Sequence, residues 1–74
     1  MSALATVRRF EFSEGLSNKF WEVSVNGTAV TVCFGRIGTN GQTQSTNFPD
    51  ATAAARHAER KVREKLDKGY SEIS

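Results

Sequence analysis

Residues 19–34, KFWEVSVNGTAVTVCF, limit the fold more than any other stretch of this chain. Trp21, Val23 and Val25 alternate with Phe20, Glu22 and Ser24, and after Asn26-Gly27 the residues Val30, Val32 and Phe34 alternate with Ala29, Thr31 and Cys33. A period of two is the mark of a strand with one buried face. Asn-Gly suits the positive φ angles of a two-residue type I′ turn, so the pair reads as a β-hairpin. With Asn26-Gly27 as the loop, Val25 falls opposite Thr28, Val23 opposite Val30, Trp21 opposite Val32 and Lys19 opposite Phe34. Trp21, Val23, Val25, Val30 and Val32 then form the core face. Phe20, Glu22, Ser24, Ala29, Thr31 and Cys33 form a mostly polar, half-exposed face, as in antiparallel sheets with one wet side.

The hairpin needs further elements to cover it. Residues 4–12 read as another strand, with Phe10 and Phe12 on one side and Arg9 and Glu11 on the other. A turn at Thr39-Asn40-Gly41 leads into QTQSTNF, residues 42–48, a polar strand suited to a sheet edge and closed by Pro49. Asp50 stands where a carboxylate can cap the first turn of a helix. The following ATAAARHAERKVREKLDK has high helix propensity and no breaker. Ala51, Ala54, Ala55, Ala58, Val62 and Leu66 recur at spacings of three and four, a narrow stripe whose alanines allow close approach to a sheet. Gly69 is the natural stop, and Tyr70 after it can fold back onto the core. The expected class is α+β: an antiparallel sheet of about four strands with one long C-terminal helix packed across one face, residues 1–74 forming a single domain.

Seventy-four residues, 38% of them hydrophobic, suffice for one small core and leave little room for a cleft with its own supporting shell. The charge of +2, from ten Lys plus Arg against eight Asp plus Glu, is too mild to signal nucleic-acid binding by itself. Cys33 is the one cysteine and His57 the one histidine, so neither an internal disulfide nor a structural zinc site is expected. No Asp or His neighbours Cys33 in sequence to make it a nucleophile, and nothing forms a pocket around Glu11, Glu14 and Glu22. The expectation is a protein that is not an enzyme and uses no cofactor or small-molecule substrate. MSALATVRRFEF lacks the pattern of a secretory leader, and no run approaches the ~18 apolar residues of a membrane span. A cytoplasmic setting without membrane contact is the default expectation.

CFGRIGTNGQTQ, residues 33–44, carries the chemistry worth weighing. Its glycines at 35, 38 and 41 do not match the dinucleotide fingerprint, which needs spacings of two and three between a strand and a helix. A P-loop requires Lys and then Ser or Thr after the last glycine, where this chain has Gln42. GRIG and GTNG each match the GxxG of KH domains, but that loop joins helices and this one joins strands. Two readings stay open. The glycines are turn and close-approach positions only, or Phe34, Arg36 and a bare backbone at one strand end form a place for a phosphate and its sugar.

FGRIGTNGQ resembles the signature of the WGR domain: usually Trp-Gly-Arg, an apolar residue, Gly, two variable residues, then Gly-Gln. NKFWEVSV resembles the family's upstream Asn-Lys-aromatic-aromatic strand, and EKLDKGY its helix end, so the likeness runs from residue 17 to residue 70. WGR domains are best known within poly(ADP-ribose) polymerases, where they bind DNA at strand breaks. The resemblance implies a stacking role on a terminal sugar for Phe34, which replaces the signature Trp. It implies contacts near the 5′ phosphate and backbone for Arg36, Asn18 and Lys19, and hydrogen bonds from the loop Gly38, Asn40, Gly41 and Gln42. By parity Phe34 also falls on the core side, so stacking on a ligand and packing in the core are both open for it.

The partner expected from the resemblance is DNA at ends or nicks, bound without sequence preference. The rival expectation is a protein-interaction or accessory module that uses the same surface or the open edge at residues 42–48. The helix face carrying Arg56, Arg60, Lys61, Arg63, Lys65 and Lys68 among Glu59, Glu64 and Asp67 reads as solvated, with pairs such as Glu59–Arg63 and Glu64–Lys68 contributing ~0.2–0.5 kcal/mol each.

Overall fold

The computed structural model describes residues 7–73. Five antiparallel strands, β1 (Val7–Glu14), β2 (Ser17–Asn26), β3 (Ala29–Arg36), β4 (Gln42–Asn47) and β5 (Ser71–Ile73), form one sheet in the order β4-β3-β2-β1-β5. The helix α1 (Ala51–Asp67) lies across one face. The α+β class holds, with one strand more than the sequence suggests. Residues 4–6 of the expected first strand lie outside the described residues, and the strand runs on to Glu14.

The β2–β3 hairpin forms with its faces as read, but its register is two residues away. Trp21 pairs with Phe34, Val23 with Val32, Val25 with Val30, and Lys19 with Arg36. The loop is Gly27-Thr28 instead of Asn26-Gly27. Gly27 has φ +63° and no non-glycine among the described residues has positive φ. A type I′ turn on Asn26-Gly27 would demand positive φ at Asn26, whereas a glycine in the first loop position needs it only once, as in a type II′ turn. Gly15 (φ +60°) plays the same part between β1 and β2.

The core lies between the sheet and α1, built from Phe10, Trp21, Val23, Val30, Ala54, Ala58 and Val62. Phe10 is fully buried and its ring lies 5.6 Å from that of Trp21. Ala54 and Ala58 bring the helix close, as the stripe implies, but the stripe is narrower than expected. Ala51 and Ala55 are exposed, and Leu66 is 49% exposed. Lys65 occupies the inward position of that turn, its aliphatic stem against aromatic rings.

Both helix ends follow the sequence. The Asp50 carboxylate accepts from the Ala53 amide at 2.8 Å. At the other end the Gly69 amide donates to the Leu66 carbonyl and the Tyr70 amide to that of Lys65, with Gly69 at φ +102°. This double closure is a Schellman motif. It turns the chain back so that Tyr70 packs on the core and β5 pairs with β1, Arg9 opposite Ile73.

The helix-free face is not simply wet. Phe20 is only 4% exposed there. The Arg9 guanidinium sits 4.5 Å from its ring centre while donating to Glu11 (2.9 Å) and Glu22 (2.7 Å). Glu11 and Glu22 thus hold an arginine over an aromatic ring. The expected helix pairs do not form either: Glu59 faces Arg8 at 3.5 Å and Glu64 faces Lys61 at 3.5 Å.

Candidate functional site

The register places Lys19 and Arg36 directly opposite each other at the open end of the β2–β3 hairpin. Cross-strand partners in an antiparallel pair share a face and stand close. Trp21 and Phe34 form the next pair inward on the same face. Together with Asn18, Leu16, Lys65 and Tyr70 these residues line a groove of about 330 Å³. Lys19 and Arg36 are exposed, and neither forms an ion pair with a carboxylate among the described residues. The Lys19 ammonium lies 5.3 Å from the Phe12 ring centre.

Phe34 is half-buried: it packs against the core cluster and is also reachable from the groove. Asn18 fixes the loop through its backbone, its carbonyl accepting from the Ile37 amide at 3.0 Å.

The glycine loop divides by function. The Arg36 carbonyl accepts from the Thr39 amide (3.0 Å) and the Thr39 hydroxyl (2.7 Å), closing a tight turn. The Thr39 amide is therefore spent within the protein. Gly38 adopts φ +97° with open space around it. Gly41 has φ +71°, and a methyl group there would stand 2.6 Å from the Phe34 carbonyl oxygen and 2.7 Å from the Phe20 ring. Gly35 faces the same constraint, 2.8 Å from the Gly41 Cα. Turn geometry and close packing therefore account for all three glycines. Asn40 offers its carbonyl to the Cys33 thiol at 3.4 Å, and Gln42 pairs with Phe34. Gly38, Asn40, Gly41 and Gln42 shape the strand end that presents Arg36 but do not line the groove.

Leu16 and Lys65 are among the groove residues that the sequence did not mark as part of the site. Leu16, at the tip of the β1–β2 turn, is 98% exposed. Lys65 lies over the rings of Trp21 (5.5 Å) and Tyr70 (5.2 Å). Its ammonium pKa is held below the ordinary lysine value, first by burial and then by Lys68 and Lys61, with Lys19 adding to them and Glu64 opposing. The only available signal for Lys65 was its place three residues after Val62.

A small antiparallel sheet capped by one helix, with an aromatic-floored cationic groove at a hairpin end, is the class these features define. The chain belongs to the WGR domain family, whose profile matches residues 6–74. It is 38% identical over 66 residues to protein YehF of Escherichia coli, and 31% identical over 65 residues to the uncharacterized protein YfeS of the same organism. Those stretches cover 89% and 88% of this chain but 24% and 27% of the relatives, so the chain spans about a quarter of their length. The crystal structure of a Bacteroides fragilis protein superposes with a TM-score of 0.91 at 43% identity, covering 93% of this chain and 20% of that one.

Proposed function

We propose that this WGR domain binds DNA at ends or nicks, holding a terminal phosphate between Arg36 and Lys19 and its sugar against Phe34. The observation that supports the reading most is the Arg36–Lys19 pair: two cations on facing strands, exposed, with no carboxylate ion-paired to either among the described residues. An arginine fork and a lysine point charge beside an aromatic face suit a phosphate with its sugar attached. Such contacts carry no base information, so binding is independent of sequence.

Fluorescence anisotropy of a nicked duplex bearing a 5′ phosphate, at low and moderate salt, tests this. Wild type binds the phosphorylated nick in preference to the unphosphorylated one. With about two phosphates neutralised, the slope of log K against log salt is roughly −2. Arg36→Ala removes the preference. Equal binding by the variant, or none by wild type at low salt, overturns the reading.

The open edge favours one alternative. Every residue of β4 is exposed and none is charged, so nothing on that edge repels an added strand. A partner protein bound there is retained by Arg36→Ala, which separates the two readings in one experiment.

A further inference from the structure

A second groove, of about 300 Å³, opens on the other side of Phe34. Trp21, Phe34 and Lys65 line both grooves, so the two adjoin across these side chains. The second one runs between α1 and the outer strands and has three unlike walls. Lys61, Lys65 and Lys68 stand on the helix side with one carboxylate, Glu64, among them. Gln44 and Thr46 stand on the β4 side, directly across the ladder from Val32 and Val30. Trp21, Val30, Val32 and Phe34 make the floor, and His57 closes the end near Phe48, whose ring is 4.8 Å from its own.

We propose that this second groove takes single-stranded nucleic acid continuing from the end held at Arg36, so that the preferred ligand is a 5′-phosphorylated single-stranded end. The inference rests on the proposed function above and deepens it. A cationic wall tracks a phosphodiester backbone, and the half-buried Phe34 and Val32 offer the bases an apolar floor, Trp21 and Val30 being buried. The uncharged amide and hydroxyl of Gln44 and Thr46 can meet base edges of any kind. A groove of this volume between a helix and a strand admits a nucleotide at a time and not a duplex. The cluster is also short of negative charge. Lys65 is flanked by Lys61 on its own helix, by Lys68 just past the helix end and by Lys19 from β2, against Glu64 alone; burial first, and then these like charges, lower its proton affinity. An anion lying along the lysines relieves that repulsion.

The test uses two hairpin duplexes, both 5′-phosphorylated, one flush-ended and one with a three-nucleotide 5′ overhang. Anisotropy titrations compare wild type, Arg36→Ala and the double variant Lys61→Ser with Lys68→Ser, whose folding is checked by circular dichroism. Wild type binds the overhang about tenfold more tightly than the flush end, with a salt slope steeper by about one to two. The double variant loses that advantage and keeps its flush-end affinity. Equal affinity of wild type for both duplexes, or an advantage that survives the double variant, overturns the groove proposal while leaving end binding standing. Overhang binding that needs the lysines but not Arg36 overturns end-holding and keeps the groove. Binding to neither duplex overturns both.

Discussion

At the scale of single residues, Gly38 and Gly41 look alike in sequence and differ in consequence. A Cβ at Gly38 meets open space, so Gly38→Ala carries only the backbone penalty of positive φ, about 1–2 kcal/mol. A Cβ at Gly41 adds a clash with the Phe34 carbonyl and the Phe20 ring, so Gly41→Ala destabilises by about 2–4 kcal/mol. Urea denaturation of the two variants orders them, and equal costs would refute the packing argument. Lys65 offers a second case. Its pKa is depressed, so the charged form disfavours the folded state at all pH values below the folded pKa. That penalty is relieved as pH rises from the folded pKa toward the ordinary lysine value of ~10.4. Lys65→Met keeps the stem over Trp21 and removes the charge. The variant therefore melts above wild type at neutral pH, with the difference closing in the alkaline range, and a variant that melts lower at neutral pH contradicts this account.

Among the elements, β5 is the one held least by packing: three exposed residues paired with β1 at one edge. A bidentate ion pair helps to fix it, the Arg8 guanidinium donating to Glu72 at 2.8 and 2.9 Å. The hydrogen bonds from Arg8 hold the Glu72 carboxyl below its ordinary pKa. Stabilisation from a lowered carboxylate pKa is present above the ordinary value and is lost as pH falls through the folded one. Protection factors in Ser71–Ile73, taken relative to the intrinsic exchange rate at each pH, therefore fall on acidification ahead of those in the other strands, and Arg8→Ala shows the lowered protection already at neutral pH. Uniform exchange across the sheet would assign β5 to the cooperative core. This strand was also illegible in sequence, because SEI has neither length nor alternation and pairs only because the Schellman turn at Gly69 aims it at β1. The hairpin shows the opposite balance: alternation fixed which residues of β2 and β3 face the helix, but not the register, since sliding by two residues keeps every side chain on its face. Phe20 escaped for a related reason, its burial depending on Arg9 and Gly41, which are distant in sequence. In the site, the Lys19–Phe34–Arg36 neighbourhood was readable from the motif, whereas the lysines of the second groove looked like any solvated helix face until β4 was placed opposite them.

At the scale of the whole molecule, eight buried hydrophobic residues among those described carry the fold, and three of them are alanine and valine on the helix. A domain of this size has a net stability near the low end of the ~5–15 kcal/mol range. Phe10→Ala, which removes the fully buried ring beneath the helix, costs about 3–5 kcal/mol. Much of the population is then unfolded at 37 °C, read as loss of the cooperative thermal transition by circular dichroism. Arg36→Ala, by contrast, leaves the melting transition within about 0.5 kcal/mol of wild type, so lost binding in that variant reports on the site and not on the fold.

The pairing of β1 with β5 has one more consequence. Arg9 lies opposite Ile73, and Val7 lies opposite Ser24 at the end of the sheet away from Lys19 and Arg36. The polypeptide thus enters and leaves the fold side by side, on the far side from the groove. A host loop interrupted at one point could receive residues 7–73 as a cassette, with both splice junctions together and the groove facing outward like the business end of a plug.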